Sequence, residues 1–176
     1  MIRPLARSIA AVALVSCTAA QAAPRVECLT REELGGLTTV VLPGAIDAVA
    51  TRCAPVLPAG NYLLTGAKAR ADGLRALRAQ AMPQAKRAFI KFGAAGKADK
   101  DGLRLLETLP DDTLVSLIET AMVAEMLQDV KPDACGDIDR VARTLAPLPT
   151  ENLVQLISEL FALGTRNDKD IRSCPI

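Results

Sequence analysis

LRLLETLPDDTLVSLI, residues 103–118, returns 39 residues later as ARTLAPLPTENLVQLI, residues 142–157. Carried on to a cysteine, segments 103–135 and 142–174 align without a gap. Arg104 meets Arg143, Leu106 meets Leu145, and Leu109-Pro110 meets Leu148-Pro149. Leu114-Val115 then meets Leu153-Val154, Leu117-Ile118 meets Leu156-Ile157, Asp129 meets Asp168, and Cys135 meets Cys174. Leucine-rich helices align easily by chance, but a shared Leu-Pro step and a shared terminal cysteine do not follow from helix composition. Each unit, about 98–135 and about 137–174, reads as a short helix, a second helix opened by proline, and a loop to cysteine. Asp111 and Asp112 in one unit and Glu151 in the other place negative charge where a helix N-terminus favours it. One such hairpin cannot bury its apolar face alone, whereas two can stack on each other and on a third. The expectation is therefore an all-α fold of antiparallel helical hairpins with a C-terminal 39-residue helix-turn-helix duplication.

Upstream, Thr30-Arg31-Glu32-Glu33 is a capping box that opens a helix running to about Val41. Leu42-Pro43-Gly44 reads as a fold-back, with Ile46 and Val49 on a second helix leading to Cys53. Residues 54–60, with Pro55 and Pro58, form a loop, after which Asn61 is placed to cap a helix with the stripe Leu63, Ala67, Leu74, Leu77 and Ala81. Pro83 is expected to end that helix and start another, in which Ala85, Ala88, Phe89 and Phe92 keep helical spacing until Gly93.

The first 22 residues have the pattern of an export signal. Arg3 and Arg7 form a basic start, Ile9 to Val15 an apolar stretch too short to span a bilayer, and Ala20-Gln21-Ala22 a small-residue cleavage site. Cleavage there leaves residues 23–176 as a single disulfide-linked domain in the periplasm. Leu14-Val15-Ser16-Cys17 also resembles a lipobox, so the alternative is a membrane-anchored lipoprotein acylated at Cys17. Four cysteines survive either route: Cys28, Cys53, Cys135 and Cys174. An even count in an exported chain implies two disulfides. Local hairpins favour Cys28 with Cys53 and Cys135 with Cys174, and the first of these requires the fold-back at Pro43. A straight helix would hold Cys28 and Cys53 roughly 33 Å apart, against the ~7 Å limit between bridged Cα atoms.

The missing residue types narrow the chemistry. The chain has no His and no Trp, one Tyr and three Phe. Without His, serine and cysteine proteases of the triad type and zinc proteases are excluded. Few aromatics argue against stacking on bases or sugars. Gly93 to Lys97 lacks the spacing of a phosphate loop, and Asp99 to Gly102 has Thr108 where a calcium loop needs Glu. Paired carboxylates such as Glu119 with Glu125, or Glu32 with Glu33, are spaced like surface residues. No catalytic residue, metal site or cofactor is expected, and the protein is read as a non-catalytic interaction or envelope-maintenance module. The alternative is a carrier of a lipid or other apolar ligand between helices, with Met122 and Met126 lining the cavity.

Charge is nearly balanced overall, at +1 for the whole chain. Arg3 and Arg7 leave with the signal while all 20 acids remain, so the mature chain carries one net negative charge and nucleic acid is not an expected partner. The local pattern is uneven. Residues 68–104 hold ten Lys and Arg against three Asp, and residues 105–139 one Lys against nine acids. The two blocks face each other, are simply solvated helix faces, or leave a basic surface around Lys86, Arg87, Lys91 and Lys97 for an anionic envelope component or an acidic envelope protein.

Overall fold

The computed structural model describes residues 28–95, 99–166 and 173–174. The signal segment, Cys17 and Lys97 lie outside them. In chain order the helices are α1 (Arg31–Cys53), α2 (Tyr62–Thr65), α3 (Ala67–Ala76), α4 (Arg78–Ala95), α5 (Lys100–Thr108), α6 (Asp111–Gln128), α7 (Cys135–Leu145) and α8 (Thr150–Gly164), with one 3₁₀ turn at Pro132–Ala134. Among the described residues there is no strand, and the only extended pairing is an isolated bridge between Leu29 and Ser173. The protein is all-α and carries two disulfides.

The capping box at Thr30 forms as the sequence specifies: Glu33 donates its backbone N–H to Thr30 Oγ1, and Thr30 donates its own to Glu33 Oε2. The helix it opens does not fold back. α1 runs 23 residues through Pro43. A proline inside a helix costs about 3 kcal/mol, but each fully buried Leu or Val returns roughly 1.5 to 3. Leu34, Leu37, Val40 and Val41 are all buried. α3, α4, α6 and α8 all pack on α1. Being apolar on most of its circumference, it behaves as a central core helix. Its length and a mean hydropathy of 1.4 over 18 residues would also let it cross a membrane by composition alone, but here four helices pack against it.

Two glycines explain how neighbours come so close. A Cβ on Gly36 would lie 2.5 Å from Gln84 Cβ and 2.8 Å from the Ala85 nitrogen, so Gly36 admits the backbone of α4. A Cβ on Gly44 would lie 3.0 Å from Glu119 Oε1 on α6. The glycine beside Pro43 thus serves packing, not a turn.

Because α1 does not break, the expected disulfides cannot form. Cys28 instead pairs with Cys174, with Cα atoms 4.9 Å apart, and Cys53 pairs with Cys135 at 5.6 Å. Each bridge ties one end of the central helix to a distant part of the chain. The antiparallel-hairpin picture changes with it, since the principal pairings run from surrounding helices to α1 and do not include α5 with α6 or α7 with α8. Pro83 and Gly93 also lie within α4, which runs on to Ala95.

The main core gathers Leu34, Leu37, Val40 and Val41 of α1, Met82, Ala85 and Ala88 of α4, and Leu114, Val115 and Ile118 of α6. A second cluster surrounds the fully buried Cys53–Cys135 bridge with Leu63 and Ala67. Here Asn61 does not cap α2 with its own side chain. The buried Asp139 of α7 accepts from the Leu63 N–H at 2.8 Å and from Asn61 Nδ2 at 3.2 Å, while Arg143 donates to it at 2.8 Å.

Both Leu-Pro steps open a helix in the same way. Pro110 (φ −56°, ψ 146°) and Pro149 (φ −54°, ψ 152°) occupy the N-cap of α6 and α8. Leu114 and Leu153 are buried, whereas the equally matched Leu117 and Leu156 are 42% and 37% exposed.

Candidate interaction groove

α6 and α8 each pack on α1, and between them lies an open groove of about 250 Å³. Leu34, Leu37 and Val41 of α1 form its base, Met122, Glu125 and Met126 of α6 one wall, and Ile157 and Phe161 of α8 the other. Phe161 is held from behind by Phe92 of α4, ring centroids 6.2 Å apart and edge to face, so that wall is anchored. Met122 and Met126, expected to line a cavity, do line this groove, which opens to solvent. Their flexible thioethers suit a surface that adapts to what it meets.

α8 also carries an exposed apolar stripe. Leu156, Leu160 and Leu163 follow i, i+4, i+7 spacing and are exposed, Leu160 at 56% and Leu163 at 58%. The sequence contained this stripe but gave no means of telling it from a buried one.

On its other side α8 borders a cleft of about 400 Å³ against the start of α1. Its rim is polar, with Glu32, Glu151, Gln155 and an Arg31–Glu159 pair at 3.2 Å. The Glu32 carboxyl is held below its ordinary value of 4.5, first by a backbone hydrogen bond and then by the Thr30 hydroxyl, with Arg31 adding to both against desolvation. Thr38 Oγ1 and Ser158 Oγ, 3.1 Å apart, add a second polar link between α1 and α8 beside the Arg31–Glu159 pair.

The basic residues singled out in sequence are largely engaged inside the fold. Lys91 Nζ donates to Glu33 Oε2 at 2.9 Å and to the Cys28 carbonyl at 3.0 Å. Lys86, half-buried, donates to the Leu109 carbonyl at 3.4 Å. Arg87 is exposed, with Nε 3.8 Å from Glu33 Oε1. Around them Arg70 grips the carbonyls of Ala146 and Leu148, and Arg78 pairs with Glu119 across the two charge blocks. Arg75 bonds Asp47 and Asp72; burial works to lower its pKa, but these two carboxylates outweigh that and raise it.

The acidic residues fare differently. Of the nine between 105 and 139, Glu119, Asp137 and Asp139 are in ion pairs. Glu107, Asp111, Asp112, Glu125, Asp129 and Asp133 are exposed, and no ion pair among the described residues includes them. The suspected carboxylate pairs are put to separate work. Glu119 faces Arg78 while Glu125 edges the groove, and Glu33 turns inward while Glu32 faces outward. Asp99 caps α5 by accepting from the Gly102 N–H at 2.7 Å. Among the described residues no group of three or more His, Cys, Asp or Glu is placed to hold a metal ion.

No protein-family model, curated protein or solved structure matches this chain.

Proposed function

We propose that the protein is an exported, non-catalytic helical interaction module that works in the periplasm and binds a partner along the groove between α1, α6 and α8. The observation that carries this reading is an apolar, methionine-walled groove open to solvent, on a molecule whose α8 also exposes Leu156, Leu160 and Leu163. Monomeric soluble proteins rarely leave such a surface without a use. Two disulfides are what an oxidising compartment permits, in keeping with the export signal, and acylation at Cys17 would anchor the same domain to a membrane. The duplication belongs to this reading as well. Pro110 and Pro149 cap corresponding helices, and the matched leucines are matched in burial, which supports two copies of one unit whose second helices form the two walls.

The carrier alternative draws on the same methionines. Ligand clefts for small molecules span roughly 300 to 1,000 Å³ and enclose most of the ligand. At about 250 Å³ and open along its length, the methionine groove suits the anchor side chains of a protein partner better.

A photo-crosslinking residue at Leu160, introduced in the native envelope, tests the proposal. It should yield one discrete protein adduct that the same residue at the exposed Ser116, on another part of α6, does not give. Adducts to lipid alone, or none, would overturn the interaction reading.

A further inference from the structure

Resting on the proposal that this groove is a protein-binding surface, we infer that its partner is a cationic amphipathic helix. The groove supplies the apolar half of the match. A helix laid along it would insert side chains at i, i+3, i+4 and i+7 between Met122 and Met126 on one side and Ile157 and Phe161 on the other. Methionine walls adjust to branched or aromatic anchors alike.

The sign of the partner's charge follows from what the fold leaves unneutralised. Glu125 stands in the groove wall, exposed, and Asp129 lies one helical turn beyond it at the end of α6, also exposed. No ion pair among the described residues includes either. The end of α6 adds the negative pole of its helix dipole. Lys or Arg flanking the apolar anchors would meet all three. In the neighbouring basic block Arg75, Arg78 and Lys91 are themselves paired, with Asp47, Glu119 and Glu33. The same acids argue against the other occupants. An anionic bilayer would be repelled, and a second copy would bring an identical acidic rim to face this one.

Three fluorescein-labelled 14-residue peptides test this on the disulfide-bonded protein. All carry leucines at helical i, i+3, i+4, i+7 spacing, with Lys, Gln or Glu at the remaining positions, and binding is read by fluorescence anisotropy at low and at physiological salt. The Leu/Lys peptide should bind about tenfold more tightly than the Leu/Gln peptide, as expected for two rim pairs near the upper end of exposed ion-pair strength, and salt should shrink that ratio. Glu125→Gln with Asp129→Asn should bring the ratio close to one. Met126→Asp, at an exposed position whose fold is checked by circular dichroism, should weaken every peptide that binds. Equal binding of Leu/Lys and Leu/Gln would overturn the cationic partner and leave the groove reading standing. No binding by any peptide would overturn both. Leu/Lys binding unaffected by Met126→Asp would mean attraction to the acidic surface at large, and a dimer in sedimentation that excludes all peptides would mean a second copy; either result overturns the inference.

Discussion

α6 and α8 carry the same five-residue phrase, Leu-Val-x-Leu-Ile, at 114–118 and 153–157, yet they are seated differently. In α6 Leu114, Val115 and Ile118 are all buried in the main core between α1 and α4. In α8 Leu153 is buried, Val154 and Ile157 are only partly so, and clefts border the helix on three sides. Identical residues thus make a sealed core contact in one place and a loosely seated wall in the other. The difference comes from the receiving surface. At Gly44 the absent Cβ leaves room for the Glu119 side chain of α6, whereas α8 meets α1 through polar links, Thr38 with Ser158 and Arg31 with Glu159. A helix that must present one apolar face to a partner is served by the looser seat.

The largest expected effect tests what keeps α8 in place. Its C-terminal end is strapped down by the chain at Ser173 and Cys174, where Ser173 Oγ donates to the Ala162 carbonyl at 3.1 Å and the Cys174 N–H to the Leu29 carbonyl at 2.9 Å. Cys28→Ser with Cys174→Ser should lower stability by roughly 3 to 5 kcal/mol on the loop-closure model. Hydrogen exchange in the double variant should speed up most in α8 and least in α6. Equal acceleration in both helices would break the distinction between them.

Truncation at the matched leucines sharpens it. Leu114→Ala should cost about 3 to 5 kcal/mol by urea denaturation, because close-packed neighbours cannot collapse into the space. Leu153→Ala should cost about 2, since Leu153 borders a cleft of about 130 Å³ and its neighbours have room to relax. Equal losses would show that the seats are energetically alike.

The smallest effect concerns pH. Glu32, at the polar cleft beside α8, has its folded pKa below 4.5. Its contribution is therefore complete above the unfolded value and is lost as pH falls through the lower folded value. Glu32→Gln should lower stability slightly at neutral pH, and the difference from the unaltered protein should shrink as pH falls below 4.5. A loss that persisted undiminished below the folded value would contradict that linkage.

Much of the local structure was readable before any coordinate. The Thr30 box and the proline starts at 110 and 149 are short-range devices whose partners lie within a turn or so, so spacing suffices to find them. The cap on α2 was not readable, because its acceptor, Asp139, lies 76 residues from the Leu63 N–H it holds. The groove was half readable. Met122 and Met126 could be suspected of lining an apolar space, but which leucines of α8 face outward depends on how the helix is rotated against α1.

Sequence alone dictated an all-helical chain and where its later helices begin, and it placed four cysteines, Cys28, Cys53, Cys135 and Cys174, beyond the first 22 residues. Tertiary structure decided the rest. Local rules break a helix at Pro43, but neighbours packed around α1 outweigh the proline's cost, and an unbroken α1 forces Cys28 and Cys53 to separate partners. It likewise turned a basic block into internal pairs for Glu33, Asp47 and Glu119 while leaving Glu125 and Asp129 exposed. Charge counted along a chain is a sum over residues, whereas charge presented to a partner is what remains after long-range contacts have been made, and those contacts are fixed only when the helices pack.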